Sequence, residues 1–132
     1  MNPAPAPMKI VIADDEVWAR ARLERLIGQV EGVEIAAVCA DVPSAIAAIE
    51  RTGAEGAFLD IQMEDATGFE VLDGVSRELY VVFVTAYSEH ALRAFERHAV
   101  DYLLKPYTEE RLQEAVRRIR RLRDNALAAR AQ

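Results

Sequence analysis

The sequence predicts an α/β fold: a doubly wound, five-stranded parallel sheet with helices on both faces. Three observations carry this. Short apolar runs alternate with amphipathic helical stretches along the chain. The runs lack the polar alternation of a half-exposed strand, as a sheet buried on both faces requires. Glycines, prolines and capping residues mark the joins, and right-handed crossovers restrict how the strands connect.

Met8 opens the predicted domain. Lys9-Ile10-Val11-Ile12-Ala13 reads as a buried strand, with Asp14-Asp15-Glu16 directly after it. A helix follows over about 17–29, with Ala19, Leu23, Leu26, Ile27 and Val30 on its apolar stripe and Gly32 as its break. The second strand spans 33–39. Asp41 caps the next helix and Pro43 suits its first turn; Ile46 and Ile49 face inward, and Gly53 and Gly56 end it. Ala57-Phe58-Leu59 is the third strand, and Asp60 stands at its carboxyl end. A loop over 62–67 leads to Gly68 and a short helix over about 69–72. The fourth strand, 80–84, ends at Thr85, and Ser88 is read as the cap of a helix reaching about Arg97. The fifth strand, 101–104, runs into Lys105-Pro106. Thr108 caps the last helix, whose positive end suits Glu109 and Glu110. Leu112, Ala115, Val116, Ile119 and Leu122 form its inner stripe, and the pattern fades from Asp124. The expected organisation is a flexible Pro/Ala-rich tail over 1–7, one domain over 8–123, and a tail or linker start over 124–132.

The bulk numbers narrow the function classes. With 132 residues, 52% of them hydrophobic, the chain can bury one core. A net charge of −6 disfavours nucleic-acid binding by the surface as a whole. No apolar run approaches the ~18 residues of a membrane-spanning helix, and the N-terminus carries no secretory pattern. The one cysteine, Cys39, cannot form an internal disulfide, which fits a reducing cytoplasm.

Open parallel sheets bind ligands beyond the carboxyl ends of their strands. In this chain those ends carry Asp14-Asp15, Asp60, Thr85 and Lys105. Like charges ~4 Å apart repel by roughly 4 kcal/mol at an effective dielectric of 20. Converging carboxylates therefore require a cation or shifted pKa values. Mg²⁺ suits such a site, because it accepts carboxylates, keeps waters and takes phosphate oxygens. Asp60 is then the candidate nucleophile for a phosphoryl group, with Lys105 neutralising charge and Thr85 donating a hydrogen bond. Each feature alone has a plainer origin: an Asp pair caps helices, a threonine favours strands, and Lys-Pro makes turns. Their joint placement at the proper strand ends is what points to chemistry.

With Asp14-Asp15, Asp60-Ile61-Gln62-Met63, Thr85 and Lys105-Pro106 in place, the chain resembles response-regulator receivers of two-component signalling over about 8–122. The stretch from Phe83-Val84-Thr85-Ala86-Tyr87 to Asp101-Tyr102-Leu103-Leu104-Lys105-Pro106 resembles receivers joined to LytTR-type DNA-binding domains. The resemblance implies a flavodoxin-like strand order 2-1-3-4-5 and a cis Lys105–Pro106 bond. It implies Asp60 as phosphoacceptor from a sensor histidine kinase. Asp15, Asp60 and the Gln62 backbone carbonyl become Mg²⁺ ligands, with Asp14 behind them. Thr85 and Tyr102 become the switch pair, altering the face of the fourth helix, fifth strand and fifth helix. Gln62 and Tyr87 are expected to flank the site. The implied output is a phosphorylation-dependent homodimer, with DNA reached only through a separate effector domain. Arg93, Arg97 and Arg111 are expected to meet acidic partners, and Arg117, Arg118, Arg120, Arg121 and Arg123 to form a solvated face.

Two departures stand out. The family often has proline where Glu64 stands, and Glu64 with Asp65 adds negative charge near the pocket. The stretch 68–80 is short, so a stunted third helix is expected. The alternative function is a phosphorylation-independent receiver acting as an interaction module. A phosphatase resembling the haloacid dehalogenase family is disfavoured, because Gln62 occupies the position of its second aspartate. A nucleotide-binding protein is disfavoured by the absence of glycine-rich phosphate motifs.

Overall fold

The computed structural model describes residues 5–64 and 66–131. Most of the expected N-terminal tail, the Asp65 carboxylate and residue 132 lie outside the described residues. The strands are β1 (Met8–Ala13), β2 (Val33–Cys39), β3 (Gly56–Leu59), β4 (Tyr80–Thr85) and β5 (Asp101–Leu104). The helices are α1 (Val17–Gly28), α2 (Val42–Thr52), α3 (Phe69–Gly74), α4 (Ala91–Glu96) and α5 (Glu109–Arg130). All strand pairs are parallel, in the order β2-β1-β3-β4-β5. The chain crosses outward from β1 to β2, then back past β1 to β3. The crevice of a doubly wound sheet therefore opens between the carboxyl ends of β1 and β3.

Alternate strand residues feed two cores. Val11, Ala13, Ala57, Leu59, Val81 and Phe83 meet α2, α3 and α4 through residues such as Ile49, Phe69 and Ala94. Ile10, Ile12, Phe58, Val82, Val84 and Leu103 meet α1 and α5 through Leu23, Leu26, Leu112 and Ile119. Both faces of the central strands β1, β3 and β4 are buried, which accounts for their unbroken apolar runs in the sequence.

Several local signals hold. The Asp41 carboxylate accepts from the Ser44 amide at 2.8 Å, and Gly53 closes α2 with φ 72°, a left-handed conformation that suits glycine. Thr108 accepts from the Arg111 amide at 3.1 Å. α3 has six residues, as short as expected.

Three expectations fail. Ser88 does not cap α4: His90 holds that position without a side-chain hydrogen bond, and Ser88 contributes only its carbonyl. α5 runs on past Asp124 to Arg130, because its alanines and charged residues are good helix formers even where the apolar stripe ends. Leu122 is 41% exposed, whereas Arg123, read as solvated, is only 4% exposed. Position 123 continues the helical spacing of Leu112, Val116 and Ile119, so it points inward. Its guanidinium is satisfied there by Glu55 at 2.8 Å, Asp124 at 2.8 Å and the Ala6 carbonyl at 2.6 Å.

Candidate functional site

β1 delivers Asp14 and Asp15, and β3 delivers Asp60, on either side of the crevice. Carboxylate oxygens of Asp14, Asp15 and Asp60 all lie within 4.8 Å of one another. Asp14 is fully buried and Asp60 is 6% exposed, while Asp15 reaches solvent. The Asp60 amide donates to the Ala13 carbonyl at 3.0 Å, so the two strand ends are tied directly. Asp14 accepts from the Glu16 amide at 2.9 Å, which turns the chain into α1. On the far side, Arg20 of α1 donates to the Asp14 carbonyl at 2.9 Å.

Lys105 closes the site from β5. Its Nζ donates to Asp14 Oδ2 at 2.7 Å and Asp60 Oδ2 at 3.0 Å. Burial pushes the Asp14 carboxyl above its ordinary value, only partly offset by Lys105 and the Glu16 amide. Burial opposes the Lys105 charge, but its bonds to Asp14 and Asp60 outweigh this and hold its pKa above the usual value. One ammonium cannot neutralise three carboxylates. The remaining oxygens form a hard, anionic donor set with one open side, which fits a small divalent cation.

The other expected residues surround this centre. The Lys105–Pro106 bond is cis. Thr85 is fully buried, its Oγ1 accepting from the Tyr87 amide at 3.4 Å. Its carbonyl accepts from the Lys105 amide at 2.8 Å. The Gln62 amide approaches Asp60 Oδ1 at 3.3 Å. Tyr102 is half-buried, and its hydroxyl donates to the Tyr87 carbonyl. Burial, then the Glu89 charge, raises its pKa. Trp18 is 84% exposed, one turn along α1 from the acidic pair.

The comparisons with known proteins bear on family and fold. The family model described as "Response regulator receiver domain" matches residues 10–117. The transcriptional regulatory protein BtsR of Salmonella typhi is 42% identical over 118 residues, 88% of this chain and 49% of BtsR. The sensory transduction protein LytT of Bacillus cereus is 34% identical over 123 residues, 91% of this chain and 50% of LytT. The crystal structure of the response regulatory domain of mrkE from Klebsiella pneumoniae superposes with a TM-score of 0.77 at 31% identity, covering 85% of this chain and 94% of that one.

The chain belongs to the response regulator receiver family.

The receiver spans about half the length of the curated relatives it matches. BtsR and LytT are LytTR-type regulators, in line with the resemblance in the segment from Phe83 to Pro106. A receiver is a signalling domain rather than a conventional enzyme. Among the described residues, no helix is long and apolar enough to cross a membrane.

The receiver also holds features that sequence reasoning missed. Gly68 packs against the backbone of Asp60: a Cβ there would overlap the Asp60 carbonyl oxygen, and the Gly68 amide donates to Ile61 at 2.7 Å. The spacing from Asp60 to Gly68 was the only sign, and a glycine after a loop is too common to read. The arginines expected to face partners are engaged within the chain. Arg97 pairs with Asp73 at 2.7 Å, Arg93 lies 4.1 Å from the centre of the Phe69 ring, and Arg111 makes two bonds to Asp101 at 2.9 and 2.6 Å. A cavity of about 620 Å³ lies at the opposite end of β4, lined by apolar residues such as Leu72 and Leu79 and by charged or polar ones such as Arg77, Glu78, Arg97 and His98. It shares no residue with the acidic cluster, and none of the carboxylates that could hold a cation beside a phosphoryl group reaches it.

Proposed function

We propose that this receiver accepts a phosphoryl group from a sensor histidine kinase on Asp60. The observation that carries the reading is the convergence of Asp14, Asp15 and Asp60, with Lys105 bonded to two of them. Asp15 and Asp60, with the Gln62 carbonyl, would hold Mg²⁺, and Asp14 would stand behind them, bonded to Lys105. Bound there, Mg²⁺ supplies positive charge against the phosphoryl oxygens. The remaining work falls to the chain. An Asp60 carboxylate oxygen forms a bond to phosphorus as the bond from phosphorus to the donor's imidazole nitrogen breaks. The bonding pair leaves with the imidazole, which takes up one proton from solvent. Asp60 is held for attack by the Ala13 carbonyl and by Gly68 behind it. Lys105 turns from a carboxylate partner into a phosphoryl partner, and the Thr85 hydroxyl donates a hydrogen bond to a phosphoryl oxygen.

The switch follows from the same elements. Thr85 moves toward the phosphoryl group and the Tyr87 amide loses its side-chain acceptor. Tyr102 exchanges its bond to the Tyr87 carbonyl for an inward position. Leu92 at 72%, Phe95 at 62% and Leu104 at 46% exposure support the α4–β5–α5 face as the surface that pairs two copies. In this reading the receiver works in the cytoplasm and reaches DNA only through an effector domain. Calorimetric titration with Mg²⁺ and beryllofluoride tests the site. Saturable binding that is lost in Asp60→Asn supports the phosphoacceptor. If wild type and mutant are both silent, the receiver is a phosphorylation-independent interaction module.

A further inference from the structure

We propose that Arg22 is a positioning residue for the Lys105 ammonium, acting through the loop that carries it. Its functional consequence rests on the phosphoacceptor reading, but its first test does not.

Lys105 must keep 2.7 and 3.0 Å contacts with two carboxylates. A lysine side chain has large rotamer freedom, so such contacts last only if the backbone beneath is fixed. The loop 105–108 is fixed at its start by the Lys105 amide on the Thr85 carbonyl at 2.8 Å. It is fixed at its end by Thr108, which accepts from Arg111 and Leu112 at 3.1 Å each. Between these points Pro106 has no N–H to offer. Among the described residues, the middle of the loop has one hydrogen bond: Arg22 Nη2 donates to the Tyr107 carbonyl at 3.0 Å, from 85 residues away.

The same guanidinium stands 4.8 Å from the centre of the Tyr107 ring. One side chain thus grips both the carbonyl and the ring of the residue two places after Lys105. The Arg22 Nε–H is buried without a partner, a cost that a freely solvated arginine would not carry. The guanidinium is therefore committed to Tyr107. Arg20, on the same helix, holds the Asp14 carbonyl at 2.9 Å. Helix α1 braces both arms of the site: the acidic pair through Arg20 and the lysine loop through Arg22.

The chain provides its own reporter, because Lys9 and Lys105 are its only lysines. Limited amine acylation, mapped by mass spectrometry, compares the two directly. In Arg22→Met, which keeps the apolar stem, acylation of Lys105 relative to Lys9 should rise by about tenfold. This is the scale on which supporting residues act on the groups they orient. The unfolding midpoint should barely move, and the acetyl phosphate labelling rate should fall by a similar factor. Arg22→Lys retains charge and stem and should restore most of the protection. If Arg22→Met does not fold, Arg22→Gln serves in its place, with the same rise in the ratio expected and an unchanged ratio again overturning the proposal. A folded Arg22→Met chain with an unchanged ratio overturns the proposal. A raised ratio in a receiver that takes no phosphate upholds the role of Arg22 and overturns the phosphoacceptor reading instead.

Discussion

Helices α4 and α5 both flank β5, yet they are held in opposite ways. α5 has 22 residues, a side-chain cap from Thr108, and five buried residues along its inner stripe. α4 has six residues, no side-chain cap, and one buried residue, Ala94. Leu92 and Phe95 of α4 stand in solvent. What attaches α4 is peripheral: the Arg97–Asp73 pair and the Arg93 contact with Phe69. An element with few buried apolar groups opens at low free energy. The face that carries Asp14 and Asp60 is packed against α1 and α5, of 12 and 22 residues, whereas next to Thr85 and Tyr102 the opposite face meets the six-residue α4. The difference teaches how a site can stay fixed while its readout moves. Chemistry is built on α1, α5 and the two central strands, and the movable surface is left on α4.

Each part of that contrast can be broken. The largest loss is expected at Leu112, fully buried on α5, where Leu112→Ala should cost about 2–5 kcal/mol in urea unfolding. A smaller but more local effect is expected from Gly68→Ala. Its Cβ would press on the Asp60 backbone, so about 1–3 kcal/mol of stability should be lost together with Mg²⁺ affinity in calorimetry. Retained affinity would show that Gly68 does not shape the site.

Asp14 gives the next effect, and its sign is unusual for a carboxylate. Its folded pKa is raised above 3.8, chiefly by burial. The folded state therefore binds more protons than the unfolded state just above that value. The Asp14 contribution to stability falls as pH rises through this window, and the penalty is complete above the folded pKa. Asp14→Asn should remove this downward contribution, read as a changed slope of denaturation midpoints as pH rises above 3.8 in chelator.

At the peripheral end, Arg97→Ala should cost at most about 1 kcal/mol globally. It should still speed amide exchange in α4, read by hydrogen-exchange mass spectrometry. Leu92→Ala should change stability least, by no more than about 0.5 kcal/mol. A loss there as large as that of Leu112→Ala would end the contrast between the two helices.

The fold was legible because its central strands β1, β3 and β4 are buried on both faces. Ile10 to Ala13, Ala57 to Leu59 and Tyr80 to Val84 are apolar runs too short for a helix, which favours buried strands. Asp41 and Thr108 announced their helices because a cap is a local bond with a fixed spacing. The candidate site was legible for a topological reason: a parallel sheet gathers its strand ends on one edge, so Asp14, Asp15, Asp60 and Lys105 met there. What stayed hidden depends on contacts without a pattern. Arg20 and Arg22 bind backbone carbonyls, which every residue possesses. Arg123 looked solvated because its charge outweighed its place on the helical stripe. The start of α4 misled because Ser88 is a good cap by type but lies before the helix begins.

The central claim is that Asp60 is the phosphoacceptor, and intact mass after incubation with acetyl phosphate and Mg²⁺ tests it most directly. One added phosphoryl group, dependent on Mg²⁺ and absent from Asp60→Asn, is the predicted result. Addition that persists in Asp60→Asn, or none in the wild type under conditions where Mg²⁺ binds, would contradict it.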